Sequence, residues 1–133
     1  MNPVFRWCCA GAYAGGIFGA SSIPGVNIHV PGAFQIDKMA HMTVYFGFTA
    51  VLAWAIAGRG MTWRPALAGA VLACVYGGTD ELHQLFVKGR MMSAYDWLAD
   101  AIGAGAFVIA LRIGVFGWIA RKFTRGGETV DAG

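Results

Sequence analysis

Four long apolar segments follow one another along the chain, at about residues 4–22, 36–57, 66–87 and 95–117. Each is a nearly continuous hydrophobic run, without the alternation of polar and apolar positions that is typical of membrane β-strands. A helix needs about 20 such residues to cross the hydrocarbon core of a bilayer. The pattern therefore predicts an all-α integral membrane protein, folded as a compact four-transmembrane-helix bundle.

The composition supports a membrane protein. Hydrophobic residues make up 57% of the chain and charged residues 13%, with a mean hydropathy of +0.56, which is unusual for a soluble globular protein. Cys8 and Cys9 are adjacent and Cys74 lies within the third segment, so the cysteines predict packing residues rather than a disulfide framework. The net charge of +3 is explained by the basic residues that flank the segments, and nothing indicates a nucleic-acid partner.

The first segment contains glycines with overlapping G-x-x-x-G spacing, at positions 11, 15, 16 and 19. This spacing is typical of closely packed membrane helices. We therefore interpret the segment as a transmembrane helix rather than a cleaved signal peptide.

Basic residues in the loops predict the orientation. If the segments alternate in direction, one side carries Arg6, Arg59, Arg64, Arg121, Lys122 and Arg125, and the other carries Lys38, Lys88 and Arg90. The side with more lysine and arginine is normally cytoplasmic. We expect both termini in the cytoplasm, a multi-pass domain over residues 1–120 in the inner membrane, and a basic juxtamembrane segment and disordered tail over 121–133.

The same alternation gathers ionisable residues at the outer end. Five of the seven carboxylates and the three histidines collect there: Asp37, Asp80, Glu81, Asp96, Asp100, His29, His41 and His83. An ionisable residue at the centre of a membrane helix costs roughly 2.5–3.5 kcal/mol, so such residues normally pair or face a wet cavity. The cluster predicts either a network of ion pairs between helices 2, 3 and 4 or a ligand site. The candidate binding residues are Asp37, Lys38, His41, Asp80, Glu81, Gln84, Arg90, Asp96 and Asp100, with Tyr45, His83 and Lys88 as possible contributors.

Some of these residues have a simpler structural interpretation. Asp37 and Asp96 are predicted in the first turns of helices, where the helix dipole favours a negative charge. Ser93-x-x-Asp96 is a possible capping box. Asp80 and Asp100 are predicted more than a turn inside their helices, and helix-end electrostatics does not explain them.

Three spaced motifs resemble the VanZ-like membrane proteins. They are D-K-x-x-H at 37–41, D-E-x-x-Q at 80–84, and Arg90 and Asp96 leading into a glycine-rich helix with Gly103. The resemblance covers about residues 17–110 and implies a small multi-helix membrane protein of the cell envelope. The founding member is associated with low-level resistance to the antibiotic teicoplanin, and the family's biochemical activity is not established. Asp100 departs from the family pattern, which usually has Asn there.

The first functional hypothesis is a non-catalytic protein that binds or modulates an envelope lipid, a lipid-linked precursor or an amphiphilic, glycopeptide-type antibiotic. Lys38 and Arg90 would clasp a phosphate, with arginine supplying a bidentate fork.

The sequence has no H-E-x-x-H or similar metal-binding motif. No metal ion or cofactor is therefore predicted.

Two alternatives stay open. An intramembrane hydrolase or transferase could use His41 with Glu81 as an acid and base, or could hold a metal with His41, His83, Asp80 and Asp96, although Ser93 is the one hydroxyl nucleophile predicted near the cluster. The chain could also be an accessory subunit of a larger membrane complex or a homo-oligomer, because it is rich in glycine and aromatic residues.

Overall fold

The computed structural model describes residues 2–24, 33–58 and 60–114, and this part of the chain is all-α. Its helices are α1 (Pro3–Ser21), α2 (Ala33–Ala57), α3 (Trp63–Gln84) and α4 (Ala94–Arg112). The predicted all-α fold with four helices in this order is confirmed. His29 and the predicted tail at 121–133 lie outside the described residues.

Local sequence signals set the helix ends. The side chain of Asn2 accepts a hydrogen bond from the Val4 amide at 2.9 Å, and Pro3 follows in the first turn of α1. Helix α4 ends at Arg112, earlier than predicted, because Gly114 adopts a left-handed conformation with φ of +74°. Helix α3 also ends before its predicted limit, at Gln84.

Helices α2, α3 and α4 pack against one another, whereas α1 packs mainly against α2. Two glycines permit close backbone approach in this three-helix core. A Cβ on Gly69 would lie 2.9 Å from the Ala53 nitrogen, and a Cβ on Gly103 would collide with the backbone of Met42. The core is filled largely by aromatic residues and alanines, including Tyr45, Phe48, Ala53, Ala66, Ala73, Ala104 and Phe107.

Two helices are long and apolar enough to cross a membrane, over Gln35–Ala57 and Ala94–Arg112. Only 33% and 28% of their apolar windows are buried inside the protein. A core helix of a soluble protein would be mostly buried, so the outward apolar side chains of these two helices favour a membrane protein. α1 is glycine-rich and α3 ends in polar turns, and that these two helices also cross the membrane stays a prediction.

The α1 glycines do not pack closely against another helix among the described residues of the chain. A Cβ placed on any of four glycines would meet no other atom within 4 Å, at Gly11, Gly15, Gly16 and Gly19. Helix α1 instead turns a different face inward, with Ala10 buried and Tyr13 and Ile17 packed against the core. The Tyr13 hydroxyl donates a hydrogen bond to the Val44 carbonyl of α2 at 3.0 Å.

Candidate functional site

One end of the protein gathers the C-terminal turns of α1 and α3 with the N-terminal turns of α2 and α4. We call it the polar end, comprising Ser21, Ser22, Asp37, Lys38, His41, Tyr45, Asp80, Glu81, His83, Gln84, Arg90, Asp96 and Asp100. Side chains cross between helices here: Ser21 bonds to Asp80, linking α1 to α3, and Lys38 pairs with Asp96, linking α2 to α4. The nine predicted binding residues all lie at this end.

Neutral donors satisfy the carboxylates of α3. The Ser21 hydroxyl donates to Asp80 Oδ1 at 2.6 Å, and the Gln84 amide donates to both Asp80 and Glu81, at 3.4 and 3.3 Å. The Ser93 backbone N–H donates to Glu81 Oε2 at 2.8 Å. Glu81 is only 1% exposed. The prediction that ion pairs would satisfy Asp80 and Glu81 is therefore wrong: both carboxylates accept hydrogen bonds from neutral groups.

Ion pairs do link α2 to α4. The Lys38 ammonium contacts Asp37 at 2.8 Å and also Asp96. His41 Nδ1 lies 2.9 Å from Asp100 Oδ1, and Asp100 is 1% exposed. The interhelical ion-pair prediction is thus confirmed for these helices.

Two details of helix capping differ from the prediction. Helix α2 begins at Ala33, so Asp37 lies beyond the first turn and the helix dipole does not account for it. Ser93 caps α4 as predicted, accepting a hydrogen bond from the Asp96 amide at 3.3 Å. A full capping box would also need the Asp96 side chain to accept a hydrogen bond from the Ser93 backbone N–H. That N–H donates to Glu81 instead.

A pocket of about 190 Å³ lies at the polar end between α1, α2 and α3, beside the loop that carries Arg90. Its apolar lining residues are Ile17, Ala20, Ala40 and Val44, and its polar lining residues are Ser21, Asp37, His41, Tyr45, Asp80, Gln84 and Arg90. Asp37, His41 and Tyr45 line it together, as predicted from their four-residue spacing on α2. The pocket is therefore amphipathic.

The structure divides the predicted site into two layers. Five of the nine predicted binding residues and the possible contributor Tyr45 line the pocket, whereas Lys38, Glu81, Asp96 and Asp100 are bonded to neighbouring side chains or backbone at the polar end and are not in the lining. Lys88 is exposed on the loop and does not line the pocket among the described residues. The Lys38 ammonium contacts two carboxylates, Asp37 and Asp96, and its part in a phosphate clasp stays a prediction. Arg90 remains in the lining, and its Nε donates to the Ile23 carbonyl at 3.3 Å.

Tyr45 is buried beside the pocket. It is 2% exposed, and its hydroxyl has no hydrogen-bond partner among the described residues. An unpaired buried hydroxyl costs free energy, about 1–3 kcal/mol. A water molecule or a ligand in the pocket would remove that cost, which makes Tyr45 a candidate contact.

Sequence reasoning missed two hydroxyl residues, Ser21 and Ser22, which end the first apolar segment. Ser22 Oγ lies 3.1 Å from His83 Nε2, but it also donates its proton to the Phe18 carbonyl at 2.6 Å. The serine proton is thus directed at a backbone carbonyl, and this geometry does not favour His83 as its base. The change from an apolar run to two serines is the signal that could have identified them.

A possible metal-ligand group differs from the predicted one. Ligand atoms of Asp37, His41 and Asp96 all lie within 4.8 Å of one another. Asp80 and His83, which were the other predicted ligands, are bound to the serines of α1 instead.

Comparison with known proteins tests the resemblance to the VanZ-like proteins. Searches of curated proteins and of solved structures found no match. A family model described as VanZ/LLP1 matches residues 11–116, which include all four helices except the start of α1. The chain therefore belongs to the VanZ/LLP1 family.

Proposed function

We propose that this protein binds the head group of an envelope lipid, a lipid-linked precursor or another amphiphile through the pocket at the polar end. The observation that carries the proposal is the amphipathic lining of that pocket. The lining combines polar contacts from Arg90, Gln84 and His41 with apolar contacts from Ile17 and Val44. A head group attached to an acyl chain has the same combination of polar and apolar chemistry.

The size of the pocket favours a head group over a whole antibiotic molecule. Pockets that enclose a drug-sized ligand typically measure about 300–1,000 Å³, and this pocket measures about 190 Å³. Only part of a larger amphiphile would fit inside. The remainder would stay in the bilayer or outside the protein, so a glycopeptide-type antibiotic would insert no more than one substituent.

The proposal includes a four-pass topology with both termini in the cytoplasm and the polar end outside. Helices α1 and α3 contain 19 and 22 residues, or roughly 28 and 33 Å of helix, and the hydrocarbon core is about 30 Å thick. Single cysteines at positions 38 and 90 should therefore both react with an impermeant thiol reagent added to intact cells. Labelling from opposite sides would contradict this topology, and the domain limits of 1–120 and 121–133 stay a separate prediction.

Lipid retention tests the binding proposal. We expect Arg90→Ala to reduce the lipid that copurifies with the protein in mild detergent, measured by mass spectrometry. Lys88→Ala is the matched control, because it removes a positive charge from the same loop but lies outside the pocket lining. Equal lipid retention by the two variants and the unmodified protein would show that the pocket does not select a head group through Arg90.

The catalytic and accessory-subunit alternatives remain predictions. The Ser22–His83 geometry described above does not favour a serine nucleophile. Native mass measurement after gentle extraction addresses the accessory-subunit alternative, which requires a complex larger than one chain.

A further inference from the structure

The polar end carries more negative than positive charge. Five carboxylates meet there: Asp37, Asp80, Glu81, Asp96 and Asp100. The side chains of permanent positive charge described at this end are Lys38, Arg90 and, exposed on the loop, Lys88. Asp80, Glu81 and Asp100 are at most 6% exposed. Buried charges are costly unless they are compensated. The end is therefore electrostatically suited to a cation.

Three metal-ligating side chains converge at this end. Asp37 and His41 lie one turn apart on α2, and Asp96 lies in the first turn of α4. One ligand atom from each lies within 4.8 Å of the other two. Carboxylate and imidazole groups together suit Zn²⁺ or Mn²⁺, and a site with three protein ligands leaves a coordination position open.

A second observation indicates a metal rather than a simple acidic cluster. His41 Nδ1 is bonded at 2.9 Å to the buried carboxylate of Asp100. Metal-binding histidines usually donate their second ring N–H to such a carboxylate, which fixes the tautomer and makes the other nitrogen a better ligand. With Nδ1 engaged by Asp100, Nε2 would be the ring nitrogen that binds a metal. Asp100 is therefore a positioning residue.

The buried hydroxyl of Tyr45 adds independent support. It lines the same pocket as Asp37 and His41 and has no hydrogen-bond partner among the described residues. A metal ion at this site would bring water molecules or a ligand into the pocket to complete its coordination. Such a group would give the Tyr45 hydroxyl a partner.

We propose that Asp37, His41 and Asp96 bind a divalent first-row metal ion of the Zn²⁺ or Mn²⁺ type. Lys38 acts as an internal competitor, because its ammonium contacts the two carboxylates that the metal would use. The proposal does not depend on lipid binding. If both hold, the metal adds positive charge to the wall of the pocket, since Asp37 and His41 also line it.

Metal titration of the full, tag-free chain tests the site. The protein is purified in detergent without added lipid, and bound metal ions are removed with a chelator. Calorimetry then measures Zn²⁺ affinity, and the visible absorption of added Co²⁺ reports its ligands. We expect one equivalent to bind and His41→Ala to weaken binding at least tenfold. His83→Ala is the matched control and should bind like the unmodified chain, because His83 lies outside the ligand group.

Substitution of Lys38 provides the decisive comparison. Lys38→Met removes the competing ammonium, so we expect metal affinity to rise at least tenfold, whereas a lysine that only stabilises the fold would give no increase. This variant keeps the test valid even if His41→Ala does not fold. Unchanged or weaker affinity in Lys38→Met, or a Co²⁺ spectrum identical to that of the free ion, overturns the proposal. The result of the lipid copurification experiment does not depend on the result of the metal titration, so the two proposals are tested separately.

Discussion

Helix α1 and the three-helix core of α2, α3 and α4 use glycine differently. In the core, Gly69 and Gly103 each lie where another backbone approaches closely. In α1, the glycines of the G-x-x-x-G spacing face no neighbour within 4 Å among the described residues. The comparison shows that G-x-x-x-G spacing permits a helix to pack closely against another but does not require it. Whether that capacity is used within one chain depends on which face of the helix turns inward.

The largest expected effect is at Gly103. Its Cβ position is occupied by the backbone of Met42 in α2, and a backbone cannot move aside as a flexible side chain can. We expect Gly103→Ala to lower the free energy of unfolding by about 3 kcal/mol or more. Thermal unfolding in detergent measures this effect. Gly105→Ala, in the same helix with open space around it, should change stability by less than about 0.5 kcal/mol.

A smaller loss is expected for Gly69→Ala. The added Cβ would lie 2.9 Å from the Ala53 nitrogen and 3.1 Å from the Thr49 carbonyl oxygen. A shift of a few tenths of an ångström between α2 and α3 relieves these contacts, so we expect a loss of about 1–3 kcal/mol. Unfolding measurements on Gly69→Ala and Gly103→Ala compare the two contacts directly. A greater loss at Gly69 would reverse the order of tightness seen in the core.

Repeated patterns made much of this fold predictable. The hydrophobic segments indicated the number and order of the helices, and the motifs indicated which residues gather at the polar end. The four-residue spacing of Asp37, His41 and Tyr45 also predicted that they share one face. These inferences succeeded because helical periodicity is a local property of the sequence.

The pairing of the polar side chains could not be predicted in the same way. Ser21 was not expected to meet Asp80, because their contact joins positions 59 residues apart. The pairing of Lys38 with Asp96 was also not predicted, since it depends on the distance between α2 and α4. Such contacts depend on how the helices rotate and pack, and a single sequence without spatial information does not specify this.

The polar attachment of α1 to the core predicts a moderate effect. The Ser21 hydroxyl donates to Asp80 at 2.6 Å, and Ser21 is 7% exposed. Ser21→Ala would leave a buried carboxylate oxygen without this donor, so we expect a loss of about 1–2 kcal/mol in unfolding free energy. Ser22→Ala is the control: its bond to His83 is only partly buried, and it should cost less. Equal losses would indicate that Asp80 does not need the α1 hydroxyl.

The smallest effect is expected on the open face of α1. Gly15→Leu adds a large side chain where no other atom lies within 4 Å, so the stability of a single chain should change by less than about 0.5 kcal/mol. Leucine also favours a helix more than glycine does, which offsets small losses. Unfolding and native mass should be measured together. A marked loss of stability, together with a change in native mass from an oligomer to a single chain, would show that the glycine face of α1 packs against another molecule. The difference between α1 and the core would then hold only within one chain.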